Sequence, residues 1–100
     1  MAILFTRTLL PIPGKLGDSQ NFVRERMDAI RSLYGVDVEL IFRIGGPIGQ
    51  LRMQSWHPDM ADLEAHRSQI FTDTGAGKLP TPEPGLFVPG ESYDAIWKKA

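Results

Sequence analysis

The sequence predicts an α+β fold, a ferredoxin-like β-α-β-β-α-(β) sandwich in which two helices cover one face of an antiparallel sheet. Segments with apolar residues at every second position alternate along the chain with segments whose apolar residues recur every three to four positions. Glycines and prolines separate these segments. The chain has 100 residues, of which 42% are hydrophobic and 23% charged, and this fits a single domain over residues 1–100.

The first predicted strand and helix occupy the first third of the chain. Residues 3–10 are mainly β-branched, aromatic or apolar, and prolines follow them, which indicates a strand. Asp18 and Ser19 offer side-chain oxygens that can cap the start of a helix. Gly35 supplies the left-handed conformation that ends many helices. The apolar stripe of this helix consists of Phe22, Val23, Met27, Ile30, Leu33 and Tyr34.

A β-hairpin and a second helix are predicted next. Residues 36–44 alternate with a period of two, residues 45–49 form a Gly-rich turn, and the alternation resumes over residues 50–56. Pro58 suits the first turn of a helix, because its missing amide hydrogen would have no partner there. We expect this helix to end near Asp73. Its apolar stripe consists of Met60, Leu63, Ile70 and Phe71.

The last quarter of the chain begins with a loop rich in proline and glycine over residues 75–90. Residues 85–88 within it are predicted to form a short fourth strand. Residues 91–99 are predicted to form a short C-terminal helix, with Tyr93, Ile96 and Trp97 on one side. Since this aromatic tail follows a Pro-rich loop, we expect it to pack across a partner subunit.

The sheet face away from the helices is predicted to form a homodimer interface. We expect Val38, Leu40, Phe42 and Ile44 to face the helices. The opposite face then mixes charged residues with large apolar ones, which fits neither a solvated face nor a fully buried one. A second copy of the chain, packed sheet to sheet, satisfies both requirements. The residues expected on this face are Ile3, Phe5, Leu9, Asp37, Glu39, Ile41, Arg43, Arg52, Gln54 and Trp56.

Composition narrows the partners and the location. The formal net charge is -1, from 11 basic and 12 acidic residues, so we expect neither nucleic acid nor a membrane as a partner. The chain has no cysteine, which excludes disulfides and thiolate metal sites and fits a cytoplasmic location. The first residues carry no signal-peptide pattern, and no apolar run reaches membrane-spanning length.

Two local features resemble a known family. Trp56 closes the third predicted strand, and residues 62–67, Asp-Leu-Glu-Ala-His-Arg, lie in the following helix. This resembles the antibiotic-biosynthesis-monooxygenase-like branch of the dimeric α+β barrels. The resemblance implies a homodimeric barrel with a ligand cavity between each sheet and its helices. Some relatives oxidise aromatic compounds without a cofactor, and this role would require Trp56 to stack on the ligand and His66 to take its proton.

The sequence leaves open whether the chain is an enzyme. In the enzymatic interpretation, Arg43 or Arg52 positions an anionic oxygen of a small aromatic or conjugated ligand. In the alternative, the chain is a non-catalytic dimeric ligand-binding or stress-associated protein. Trp56 is then a large apolar plug and His66 hydrogen-bonds at the edge of the core. A cavity that contains both residues would favour the enzyme.

No cofactor or metal ion is expected from the sequence. Some relatives degrade haem with an Asn on the first strand, but the only Asn here is Asn21, in the first predicted helix. Haem binding through His66 stays open. His57 and His66 lie nine positions apart, which is not a common metal-ligand spacing, and His57 is expected to be a solvated residue at the helix entry. No serine is framed by Gly-x-Ser-x-Gly, so serine hydrolysis is not predicted.

Overall fold

A four-stranded antiparallel sheet and two helices form the fold, as predicted. The computed structural model describes residues 2–46 and 49–100, so Pro47 and Ile48 of the predicted hairpin turn lie outside the described residues. The elements in chain order are β1 (Ile3–Leu9), α1 (Leu16–Tyr34), β2 (Val38–Phe42), β3 (Leu51–His57), α2 (Met60–Gly75) and β4 (Tyr93–Lys98). The strand order is β2-β3-β1-β4, which is the ferredoxin-like arrangement. The predicted hairpin is confirmed, because β2 pairs with β3.

Helix α1 follows the predicted stripe but begins differently. Val23, Met27 and Ile30 are buried against the sheet, and Gly35 ends the helix in the left-handed conformation at φ 68°. The expected cap at Asp18 and Ser19 is wrong, because the helix begins at Leu16 and no side chain caps it. The Ser19 hydroxyl is instead buried and donates to the backbone oxygen of Leu86 at 3.1 Å. It thereby holds the C-terminal loop against α1.

Helix α2 is capped by an aspartate. Asp59 lies just before the helix, and its carboxylate accepts a hydrogen bond from the Asp62 backbone amide at 2.8 Å. Pro58 therefore precedes the cap. The prediction that it lies in the first turn of the helix is wrong. Leu63 is 1% exposed, whereas Phe71 is 83% exposed, so the predicted apolar stripe is wrong at Phe71. Only part of α2 faces the sheet.

The C-terminal segment is a strand, and the predicted helix over residues 91–99 is wrong. β4 pairs with β1 along its whole length, from Thr8 opposite Tyr93 to Ile3 opposite Lys98. The edge of β1 left free by β3 offers this segment a row of unpaired backbone groups. Residues 85–88 form no strand either, because Phe87 makes only an isolated bridge to Pro11.

Strand register decides which side chains face the helices. Ile3, Phe5 and Leu9 lie opposite His57, Ser55 and Leu51 in the pairing of β1 with β3. Directly opposite residues point to the same face of a sheet, and Leu51 is in the core with α1. The placement of Ile3, Phe5 and Leu9 on the other face was therefore wrong. Of the second-strand residues expected to face the helices, Phe42 and Ile44 are exposed.

The face of the sheet away from the helices, here called the open face, carries aromatic and polar rows. Leu4 lies opposite Trp56 on β3 and opposite Trp97 on β4, which gives a large apolar row across three strands. The two tryptophans are 53% and 57% exposed. From the register, the open face consists of Leu4, Thr6, Thr8, Glu39, Ile41, Arg52, Gln54, Trp56, Tyr93, Ala95 and Trp97.

In the described ranges, neither helix is long and apolar enough to cross a membrane.

Candidate functional site

A cavity of about 860 Å³ lies between the two helices and the helix-facing side of the sheet. It forms because only part of α2 packs on the sheet, whereas Val23, Met27 and Ile30 of α1 share the core with Val38 and Met53. Its size is within the range typical of sites for small molecules. The apolar part of its wall consists of Phe5, Ile30, Val36, Val38, Met53, Leu63, Ile70 and Phe71.

Two histidines and an aspartate meet at one end of this cavity. β3 places Ser55 and His57 on the same face, because they are two residues apart. The first turns of α2 place Asp62 and His66 on one side of the helix, because they are four residues apart. The imidazole rings of His57 and His66 lie 5.7 Å apart between centroids. Both histidines line the cavity.

Hydrogen bonds connect this histidine cluster. His57 Nδ1 donates to the Asp62 carboxylate at 2.8 Å, and His57 Nε2 lies 2.8 Å from the Ser55 hydroxyl. His66 Nδ1 donates to the Asp62 backbone oxygen at 2.9 Å, since a carbonyl can only accept. The hydrogen bond from His57 lowers the pKa of Asp62, and the charge of His66 lowers it further. Asp62 is therefore a carboxylate, which accepts from His57.

Arginines form a second polar group on the cavity wall. Arg7, on the helix-facing side of β1, donates to both carboxylate oxygens of Asp94 at 2.7 and 2.9 Å. This hydrogen bond holds the pKa of Asp94 below its usual value. Arg67 on α2 lies 3.9 Å from the same carboxylate, so one acid serves two guanidinium groups. Both guanidinium groups also lie near the Phe5 ring, at 5.9 and 5.3 Å from its centroid.

Arg26 on α1 is the third arginine of the wall. Its guanidinium donates to the Pro80 backbone oxygen at 2.9 Å and to the Thr74 hydroxyl at 3.3 Å. These acceptors are neutral, and among the described residues no carboxylate forms an ion pair with it. Burial lowers the pKa of Arg26, and the charge of Arg7 lowers it further. Within residues 2–46 and 49–100, the cavity therefore contains a guanidinium charge that no ion pair neutralises.

The structure separates the residues that the sequence placed in one site. Trp56 lies on the open face, whereas His66 lines the cavity on the other side of the sheet. Arg52 is also on the open face, where its Nε donates to the Thr8 hydroxyl at 3.4 Å. Arg43 is exposed beyond the end of β2 and donates to the Gly45 backbone oxygen and the Gln50 side chain, at 2.7 and 3.0 Å. Within one chain, only His66 of these four reaches the cavity.

Sequence reasoning also missed residues that the structure places at the cavity. His57 is 4% exposed, so the expectation of a solvated side chain is wrong. The signal was present: His57 shares its strand face with the buried Met53 and Ser55, which the alternation over residues 50–56 already implies. Arg7 was visible as a charged residue inside an apolar strand. Its position beside Arg67 depends on strand register, and no local pattern gives that.

The fold and the cavity define a ferredoxin-like α+β protein, and solved structures of the NIPSNAP family are similar to it. A NIPSNAP family protein from Agrobacterium tumefaciens has a TM-score of 0.76 and 19% identity, over 100% of this chain and 94% of that chain. An uncharacterised NIPSNAP domain protein from Burkholderia xenovorans has a TM-score of 0.77 and 12% identity, over 98% of this chain and 94% of that chain. At such identities the likeness shows the fold alone.

A second NIPSNAP family protein from Agrobacterium tumefaciens, described as having unknown function, has a TM-score of 0.74. It is 19% identical over 99% of this chain and 88% of that chain. No protein-family model matches the sequence, and no curated protein matches it either.

Proposed function

We propose that this chain binds a small molecule with an apolar body and an anionic group in the cavity between the sheet and α2. The observation that carries the proposal is the composition of the wall, which combines a large apolar surface with the guanidinium group of Arg26. An apolar body is favoured because its burial removes hydrophobic surface from water on both partners.

The anionic group is favoured by the charge balance. Removing a cation from water costs free energy unless an anion or several hydrogen bonds compensate for it. Arg7 and Arg67 share Asp94, whereas Arg26 has only neutral acceptors. A ligand carboxylate or enolate near Arg26 would form a charge-assisted hydrogen bond, which is stronger than the neutral ones present.

We further propose that the cavity supports oxygenation of the bound ligand. The resemblance to the monooxygenase-like branch suggests oxygenation of a conjugated ligand without an added cofactor. His66 is the residue of the expected catalytic pair that lines the cavity, so we propose that its ring contacts the bound ligand. Binding without turnover is the second candidate, since both ring nitrogens of His57 and one of His66 already have partners within the chain.

We also propose that the chain forms a homodimer through the open face. The row of Trp56, Leu4 and Trp97 offers apolar area, and large exposed apolar patches mark interaction sites. A second copy is the favoured partner because Glu39 and Arg52 lie on the same face, so two copies related by a two-fold axis can pair opposite charges. Arg52 and Trp56 would then act at the interface. The cytoplasm remains the expected location.

The experiment compares a naphthalene carboxylic acid with its neutral amide. We expect the wild-type chain to bind 2-naphthoate at least about tenfold more tightly than 2-naphthamide, measured by isothermal titration calorimetry. Arg26→Gln should remove this preference, because the ligand anion loses its cation. Arg24→Gln is the matched control, since Arg24 is exposed two positions away on the same helix. Equal affinities for the acid and the amide, or equal effects of the two substitutions, would contradict the proposal.

A further inference from the structure

We propose that His57, Asp62 and His66 form a binding site for one divalent transition-metal ion, open towards the cavity. Each residue offers one ligand atom, and the three atoms lie within 4.8 Å of one another. The proposal rests on these side chains alone and does not require the small-molecule ligand.

The distances within the cluster are close to those of a coordination shell. His57 Nδ1 lies 2.8 Å from Asp62 Oδ2, and His66 Nδ1 lies 3.4 Å from the same oxygen. At metal–nitrogen and metal–oxygen bond lengths of about 2.0–2.1 Å, the donor atoms of a tetrahedral site lie about 3.3 Å apart. Converting the hydrogen-bonded cluster to a metal site therefore needs a shift of about half an ångström at the His57–Asp62 pair. It also requires His66 Nδ1 to lose its proton and to release the Asp62 backbone oxygen, which lies 2.9 Å away.

The surroundings hold the donors in place. With Nδ1 as the metal ligand, His57 keeps its proton on Nε2 and donates it to the Ser55 hydroxyl, which lies 2.8 Å away. Metal-binding histidines usually donate their second nitrogen to such a partner. Asp59 caps α2 through the Asp62 amide and so fixes the backbone of the second ligand. The burial of His57 restricts its ring to one orientation.

The donor set indicates which ions bind. Two imidazoles and one carboxylate suit Zn²⁺, Co²⁺ or Fe²⁺, whereas Mg²⁺ and Ca²⁺ prefer sites made only of oxygens. Three protein ligands leave at least one coordination position for water or for a ligand in the cavity, as in catalytic metal sites. Sequence spacing does not indicate this cluster, because a strand, a turn and a helix bring His57 and His66 together although they are nine positions apart.

Titration of the chelator-treated full chain with CoCl₂ tests the proposal. We expect one Co²⁺ per chain and an intense visible d–d absorption of a site with low coordination number. Substitution of two ligands by residues of similar shape, His66→Gln and Asp62→Asn, should each remove the band or weaken binding at least about tenfold. Glu64→Gln is the matched control, because Glu64 is an exposed acid on the same helix that also lines the cavity.

Circular dichroism spectra of the variants check that they are folded, and ZnCl₂ titrations by calorimetry provide a second measure of stoichiometry. Ser55→Ala should weaken Co²⁺ binding about 10–100-fold without abolishing the band, since it removes only the partner of His57. No Co²⁺ band in the wild-type chain, or the same affinity in His66→Gln and Asp62→Asn as in Glu64→Gln, would show that the cluster is a hydrogen-bond network only. The naphthoate titration in the metal-free chain tests the small-molecule proposal separately.

Discussion

Single residues join the two helices at the end remote from the histidine cluster. The Tyr34 hydroxyl at the end of α1 donates to the buried carboxylate of Asp73 near the end of α2. This bond is the main cause that lowers the pKa of Asp73, and Gln69 and Lys78 lower it further. Burial raises the pKa of Tyr34 to about 12, and the bond to Asp73 adds to the shift. The neutral tyrosine and the ionised aspartate therefore stabilise each other.

Tyr34→Phe should lower stability in a pH-dependent way. A lowered folded-state pKa at Asp73 stabilises the fold above the unfolded value of about 3.9, and this contribution is lost as the pH falls through the folded pKa. The raised pKa of Tyr34 stabilises the fold below about pH 10, and this contribution is lost as the pH rises towards about 12. We therefore expect the difference in free energy of unfolding between wild type and variant to be constant from about pH 5 to 9 and to shrink below about pH 4.

Urea unfolding at pH 7 and pH 3 measures this difference. Asp73→Asn and the double variant complete a thermodynamic cycle, in which the coupling energy should be smaller at pH 3 than at pH 7. A difference that is unchanged at the lower pH would show that Tyr34 acts through packing and that its hydroxyl contributes nothing through Asp73.

At the scale of elements, α2 shows which part of a helix the sheet needs. The sequence placed Leu63 and Phe71 in one apolar stripe, but only Leu63 is buried. Leu63→Ala should lower the free energy of unfolding by about 2–5 kcal/mol, because it removes buried methyl groups. Phe71→Ala, on the same helix, should change it by less than about 0.5 kcal/mol. Urea unfolding curves of both variants measure this, and equal losses would contradict the burial of α2 described above.

Local patterns predicted elements well where one pattern fitted each segment and less well where two did. The alternation over residues 50–56 allows only a strand, and Gly35 ends α1 as expected. Residues 93–98 allow either a strand or a short helix by side-chain spacing alone. The free edge of β1 decides between them, and that edge is a property of the assembled sheet. The loop before β4 likewise adds Leu79 to the core, which no periodicity indicates.

At the scale of the whole molecule, the sequence predicted only part of the candidate site, because side chains reach the cavity from different elements. The resemblance to the monooxygenase-like branch paired His66 with Trp56, but the pairing took no account of which sheet face each side chain occupies. Trp56 precedes His57 directly, yet alternation sends the two side chains to opposite faces of the sheet. Assigning the faces requires the register of β1 against β3, which places Phe5 and Arg7 beside Ser55 and Met53. Only the assembled fold gives that register.

The same register places Trp56, Leu4 and Trp97 in one row on the open face, where we propose that two copies of the chain meet. If two copies meet there, Trp97 lies at the interface, and an aspartate at this position would place a charge in an apolar contact without a partner. We expect wild type to sediment as a dimer and Trp97→Asp to sediment as a monomer in analytical ultracentrifugation. Phe71→Asp is the matched control, since Phe71 is an exposed aromatic residue outside the open face, and it should stay dimeric.

Trp56→Arg provides a second test on β3, which β1 separates from β4, because it changes the same apolar row without touching β4. Circular dichroism must show that both open-face variants keep the fold, since β4 is an edge strand and Trp97 lies within it. A wild-type chain that is monomeric at micromolar concentration, or folded Trp97→Asp and Trp56→Arg variants that remain dimeric, would rule out the open face as the interface. The exposed tryptophans would then mark an interaction site for another partner.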